Sequence, residues 1–271
     1  MNPIQVLGIY REQIFSPGKI KDDEAILDAT LAELSYQGCR IAAIKAEDLA
    51  SDIVPPNLVL SMAQSDRSLK IMETWESSGI RVVNTSVSIR NCYRKPLIHL
   101  LQKAGLPLPA SRLVPLAELL TQGLDVTGRY WLKRGDVHAI GPGDVAAVTT
   151  KEELDVALAH FRDQGVIDIL VQDHVPGRVI KFYGVGQGRF FCAFPADGAE
   201  PLTVWPNLLP DLAARAAAAV GLEVYGGDAV LTRQGEVVLI DLNDWPSFSR
   251  CCLDAAGGIA RYLIRTYPIR S

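Results

Sequence analysis

No run in this sequence approaches the roughly 20 consecutive apolar residues of a membrane-spanning helix. The N-terminus also lacks a basic stretch leading into an apolar one, so neither a span nor an export leader is expected. Cysteine is scarce: Cys39, Cys92, Cys192, Cys251 and Cys252 make an odd count with no C-x-x-C pair. They read as mostly buried thiols of a reducing, cytoplasmic compartment and not as a disulfide framework. A large excess of charge of one sign is missing too. A net charge of −4 over 271 residues argues against nucleic acid as the main partner. Internal repeats and low-complexity tracts are absent. What is present is a globular composition, 48% hydrophobic and 21% charged, in a chain long enough for two domains or one domain with a lid.

Along the chain, Ile4 to Ile9 is a buried-strand pattern, and Asp22 to Tyr36 carries Ile26, Leu27, Leu31 and Leu34 at helical spacing. Strands at Arg40 to Ile44, Leu58 to Ser61 and Ile80 to Val83 alternate with a helix at Ser68 to Ser77, which predicts a parallel, helix-covered N-terminal domain over residues 1–90. A helix from Lys95 to Ala104 opens through Pro96 and closes at Gly105. Short strands at Ser111 to Val114, Tyr130 to Lys133 and Ile169 to Gln172, with helices near Leu116 to Gln122 and Lys151 to Asp163, complete a small lobe over residues 91–174. A hairpin turning at Gly186 to Gly188, an alanine-rich helix from Leu209 to Val220, a second hairpin and a last helix from Ala255 to Tyr267 fill residues 175–271.

The second hairpin is the most informative stretch. Pairing across a tight Gln234-Gly235 turn sets Arg233 against Glu236 and, counted outward, puts Asp228 opposite Asp241, with Asn243 on the same face. Opposed side chains in such a pair have Cβ atoms roughly 5 Å apart, and like charges there destabilise the sheet unless a cation neutralises them. Two carboxylates and an amide oxygen suit a hard cation such as Mg²⁺. Capping of strand ends in solvent is the competing reading of the same acids.

Several segments then align with one pattern. The stretch from Asn84 to Lys95, the exit Gly105-Leu106-Pro107-Leu108-Pro109, the strand Tyr130 to Arg134, the extended stretch Ile169 to Gly177 and the acid-bearing hairpin together resemble the ATP-grasp superfamily. The likeness is to carboxylate-amine ligases with a glutathione-synthetase-like ATP-binding fold. That resemblance implies an α/β N-terminal domain followed by two α+β lobes that hold ATP. It implies nucleotide contacts from Lys95, Lys133, His138 in the glycine-bearing loop Gly135 to Asp144, and Gln172, Asp173, His174 and Val175 in the interlobe linker. It assigns one or two Mg²⁺ ions to Asp228, Asp241 and Asn243. The resemblance puts Arg178 to Lys181 where related enzymes carry a cation facing the transferring phosphate. Strand alternation points the two to opposite faces, so only one can serve; Lys181 is taken for that role, and plain solvated charge is the competing reading. Arg250 is an acceptor-site candidate, as are Arg11 and Ser16 before the first helix.

The expected activity is ATP-dependent ligation, in which a small carboxylate becomes an acyl phosphate and an amine attacks it. An ATP-grasp kinase acting on a hydroxyl and a non-catalytic nucleotide-binding protein are the alternatives. Small molecules are the expected partners, with no membrane involved and room left for a homo-oligomer.

Overall fold

A computed structural model of the chain describes residues 3–137, 141, 143–198 and 208–267. Its first layer is a parallel sheet. Strands β1 (Gln5–Tyr10), β2 (Arg40–Lys45), β3 (Leu58–Ser61) and β4 (Arg81–Val83) lie in the order β2-β1-β3-β4, with helices α1 (Ile20–Tyr36) and α2 (Asp66–Ser77) crossing between them. The apolar stripe of α1 is buried, as its spacing requires. Ser65 caps α2 by accepting from the Ser68 N–H at 3.1 Å, and the buried carboxylate of Glu12 accepts from the N–H groups of Gln64 and Ser65 just ahead of the helix.

Two short helices follow, α3 (Ser86–Asn91) and α4 (Arg94–Lys103). The sequence does not predict α3: six residues are too few to display a period, and the Thr85 cap on the Ser88 N–H is its clearest mark. Gly105, at φ 64°, ends the α4 turn in a conformation that a side chain would strain. Leu97, Leu101 and Leu106 pack into the core of the C-terminal sheet.

The second layer is an antiparallel sheet of β5 (Ser111–Pro115), β6 (Tyr130–Arg134), β7 (Val145–Val148) and β8 (Asp168–Asp173), ordered β5-β8-β6-β7. It is covered by α5 (Leu116–Gln122) and α6 (Lys151–Asp163). Strand β7 escapes the sequence reading because its four residues show no alternation of polarity. The third layer, β9 (Arg178–Val185), β10 (Phe190–Pro195), β11 (Val224–Leu231) and β12 (Val237–Asp244), is antiparallel in the order β10-β9-β11-β12. Helix α7 (Leu208–Val220) packs on it through Ala213, Ala216 and Ala217, small side chains that allow close approach. The last helix, α8 (Cys252–Thr266), returns to the first layer and shares a core with α1. Among the described residues no helix is long and apolar enough to cross a membrane.

The first and third layers are stitched together at their ends. The buried Asn84 amide oxygen accepts from the N–H groups of Glu223 at 2.8 Å and Val224 at 2.9 Å, while its NH₂ donates to the Val224 carbonyl at 2.6 Å. The fully buried Trp245 indole donates to the Val83 carbonyl at 2.8 Å. Trp245→Ala should therefore open a large void at this joint and lower the unfolding free energy by about 3–5 kcal/mol. A urea titration followed by far-ultraviolet circular dichroism reads the loss.

Candidate functional site

The hairpin places Asp228 opposite Asp241, though by a different route from the expected one. Thr232, not Arg233, closes the turn. Its N–H donates to the Glu236 carbonyl at 2.9 Å, and three residues, Arg233, Gln234 and Gly235, span the loop. Pairing from Leu231 with Val237 to Ala229 with Leu239 is thus one step off the expected register. A bulge between Asp228 and Ala229 takes up Ile240 as an extra residue and restores the step, so Asp228 faces Asp241 and Gly226 faces Asn243.

The acids are answered by cations from three different elements. Arg94 at the start of α4 donates through Nη1 to Asp241 Oδ1 at 2.6 Å. Lys181, directly across the ladder on β9, places Nζ 3.1 Å from Asp228 Oδ1. Lys133 reaches from β6 and donates to the carbonyl of the bulged Ile240 at 3.1 Å. Burial, opposed by Lys181 and reinforced by the neighbouring Asp241, holds the Asp228 carboxyl above the usual carboxylate range. Burial likewise lowers the Lys133 ammonium to about 8, against the pull of Asp241.

Around these groups lies a cleft in two parts. The larger, a cavity of about 350 Å³, is lined by Arg94, Lys133, Lys181, Asp228 and Asp241 at one end and by Trp131, Gln172, Asp173, His174 and Val175 at the other. Gln172 is buried and donates to Ser111 Oγ at 3.2 Å. The Trp131 indole donates to His174 Nδ1 at 3.2 Å, which requires that nitrogen unprotonated. Burial and the Arg129 charge lower the His174 pKa in the same sense. The smaller cavity, about 220 Å³, is lined by Arg11, Ser16, Tyr183, Asn243, Asp244 and Ser247, among others. Lys181 and Asp228 line both, so the two cavities meet at that ion pair.

Several of the expected site residues lie outside the cleft or are otherwise engaged. Lys95 is exposed and lines neither cavity; its neighbour Arg94 is the buried cation that enters the cleft. One residue is about 100° of helix, and nothing in an Arg-Lys pair reveals which of the two faces inward. In the linker, the Asp173 N–H is committed to the Ala110 carbonyl at 2.9 Å and the His174 N–H to that of Arg129 at 3.1 Å. Among the described residues, only the Val175 N–H of the three is not taken up by another backbone carbonyl. Arg250 sits outside the cleft, stacked 4.7 Å above the Phe194 ring and donating to the Pro195 carbonyl at 2.9 Å. His138 lies outside the described residues.

Arg11 does line the smaller cavity, but it is held there by the Trp245 carbonyl and by Asp23, whose carboxylate also accepts from Ser16. The sequence reading missed Asp244, a fully buried acid that accepts from Gln64 Nε2 at 3.0 Å and is raised by that burial against the opposing Arg11 charge. Its only sequence signal is its place directly after Asn243. Arg178 is turned away from the cleft and lies 3.7 Å from Asp197.

Among the described residues no three acidic, histidine or cysteine side chains converge as a ready-made metal cage. Two carboxylates with an amide two residues on still fit the hard-ion chemistry of Mg²⁺. That ion keeps several waters and is ordinarily held by one or two carboxylates together with substrate phosphates.

Solved structures share this architecture. A RimK domain ATP-grasp protein from Sphaerobacter thermophilus superposes with a TM-score of 0.72 at 21% identity, over 96% of this chain and 98% of its own. The D-alanine–D-alanine ligase of Bacillus anthracis complexed with ATP gives a TM-score of 0.71 at 16% identity, over 98% of each chain. The VanG D-Ala:D-Ser ligase of Enterococcus faecalis gives 0.74 at 14%, over 97% of this chain and 99% of its own. No family model matches the sequence, and no curated protein does. The chain has the ATP-grasp fold.

Arg94→Ala should leave the acid pair under-neutralised and cost about 3 kcal/mol of unfolding free energy in urea. Combining it with Asp241→Asn should recover most of that loss. Equal destabilisation in the single and double variants would show that Arg94 acts through packing alone.

Proposed function

We propose that this protein is an ATP-dependent ligase that binds Mg-ATP in the larger cavity and activates a small carboxylate, bound in the smaller one, for attack by an amine. The observation that carries this reading is the junction: two cavities of unequal size share one lysine and one aspartate, where a phosphoryl group passing from one to the other must cross. On this reading Lys133 and Arg94 hold the phosphate oxygens, and Lys181 neutralises the charge that develops on the transferring group. The Gln172–Val175 stretch takes the purine, with the Val175 N–H as its backbone donor. Asp228, Asp241 and Asn243 would hold a Mg²⁺ ion, whose charge would offset that of the phosphates.

The chemistry of the smaller cavity favours ligation over phosphorylation of a hydroxyl. A hydroxyl acceptor has a proton to lose and calls for a base. The carboxylates bordering this cavity are engaged: Asp23 with Ser16 and Arg11, Asp244 with Gln64, and Asp228 with Lys181. A carboxylate acceptor arrives already deprotonated. At about 220 Å³ the space suits a compact substrate. The reading also places the protein in the cytoplasm, with ATP and small metabolites as its partners.

A panel of amino acids and small carboxylates should contain one that stimulates ADP release and yields, with an amine cosubstrate, a product of the joined mass. A stable phosphoester in its place would assign the protein as a kinase. Asp241→Ala should abolish Mg²⁺-dependent turnover while leaving a folded protein, and full activity in that variant would remove the metal assignment.

Nucleotide binding should also be proton-linked. Lys133 is held near 8 in the free protein, and a phosphate partner favours its charged form and so raises that value. The complex therefore holds more protons than its separated parts above about pH 8. ATP affinity should fall as pH rises through this range, with calorimetric enthalpies that depend on the ionisation enthalpy of the buffer. Lys133→Arg should flatten both dependences.

A further inference from the structure

Trp131 lies on β6 two residues before Lys133, so alternation turns both side chains to the cleft, the lysine at the acid end of the larger cavity and the indole at the other. The indole N–H donates to His174 Nδ1 at 3.2 Å, with the two rings inclined at 51°. Arg129 sets its guanidinium carbon over the indole, 5.1 Å from the ring centroid. The carbonyl of the same arginine accepts the His174 N–H at 3.1 Å. Three residues thus close a ring of contacts, Trp131 to His174, His174 to Arg129 and Arg129 back to Trp131. Val179, Val230 and Ile240 of the third sheet line the same cavity with aliphatic side chains.

We propose that Trp131 is the surface on which the base of the nucleotide stacks, and that His174 is a positioning residue that fixes the indole through Nδ1. The inference rests on the reading that the larger cavity takes ATP. It adds a side chain that the Gln172–Val175 backbone does not supply. A ring nitrogen that accepts from an indole carries no proton, so the imidazole is neutral with its hydrogen on Nε2. An imidazolium would instead turn a second donor toward the indole N–H. Burial and the Arg129 charge, which lower the His174 pKa, keep the ring in the neutral form.

With its single N–H donated to His174, the indole has no further hydrogen-bonding group for a ligand. Arg129 covers one face of the ring, and the opposite face is the one that meets the base. A flat, weakly polar ring is the partner such a face takes, and a purine held between it and an aliphatic wall fits that chemistry. The His174 backbone N–H, committed to Arg129, cannot read the base edge, so this residue acts through its side chain. Stacking tolerates any base, and the pair therefore sets affinity and placement more than the choice among bases.

Calorimetric titration of the full chain with Mg-ATP and, separately, with magnesium tripolyphosphate tests the pair. Trp131→Ala should weaken ATP binding by roughly 5- to 100-fold, the range of one lost base stack, and leave tripolyphosphate unaffected. His174→Leu should weaken ATP by roughly 2- to 10-fold. His174→Asn, whose amide oxygen stands where Nδ1 does, should restore most of that loss. In a Trp131→Phe background, which keeps a ring but has no N–H, His174→Leu should have no further effect. Equal loss of both ligands in Trp131→Ala, no rescue by His174→Asn, or additive effects of Trp131→Phe and His174→Leu would each overturn the proposal. ATP binding that survives Trp131→Ala would overturn this inference alone, whereas an unaltered chain that binds neither ligand would overturn the nucleotide reading and the inference with it.

Discussion

Two aspartates facing each other across a buried antiparallel ladder set the terms for the rest of this molecule. At a separation of roughly 5 Å and an effective dielectric of about 20, their repulsion is on the order of 3 kcal/mol before desolvation is counted. Arg94, Lys133 and Lys181 offset it, and each comes from a different part of the chain: a helix between layers, the second sheet and the third sheet. The charge pair therefore does more than mark a site. It gives the second layer a polar reason to lean on the third, because the Lys133 ammonium donates to the bulged Ile240 carbonyl across the cleft.

The bulge shows how sequence and structure can agree at one point while differing around it. A two-residue turn and an unbroken ladder predict Asp228 opposite Asp241. The molecule instead uses a three-residue turn and an extra residue at Ile240, and the two departures cancel at the acids. The intermediate pairs, Ala229 through Leu231, do not share in that cancellation. The extra residue has its own consequence, since it frees the carbonyl that Lys133 uses. Alternation along one strand shows that Lys181 and Arg178 face opposite ways, and the pairing of β9 with β11 puts Lys181 on the side of Asp228. The choice between Arg94 and Lys95 was beyond the same logic, as it depends on the rotation of α4 against a sheet more than a hundred residues later.

The N-terminal layer is legible as strands and helices, and Arg11 and Ser16 as residues of a cavity wall, but the bonds that hold them there are not. Its parallel order follows from alternating patterns, while its contribution to the cleft rests on long-range bonds that no local pattern encodes. Asn84 and Trp245 fix the ends of two sheets together, and Trp245 also supplies the carbonyl that holds Arg11. Arg11, Glu12, Gln64 and Asp244 then form a polar floor whose members are all engaged by neighbours. Arg250 lies elsewhere for the converse reason. It is close in sequence to Pro246 and Ser247, which border the smaller cavity, but the chain turns at Phe248 and carries it to the opposite edge, onto Phe194.

Charge counting connects this architecture to the proposed chemistry. Three cations against two carboxylates leave the junction with a net charge of about plus one, a modest cost for buried groups and a standing attraction for anions. A triphosphate alone, with roughly four negative charges, would carry the same space to about minus three. With the two positive charges of a divalent ion included, the sum returns to about minus one. The site thus remains within one charge of neutrality in both states only if nucleotide and ion arrive together. On the proposed reading the same side chains would serve both: cations paired with carboxylates in the free protein would turn to phosphate, and the carboxylates they leave would take the ion. On that reading, a buried acid pair that would otherwise be a liability to the sheet is what favours a metal-bound nucleotide over a bare one.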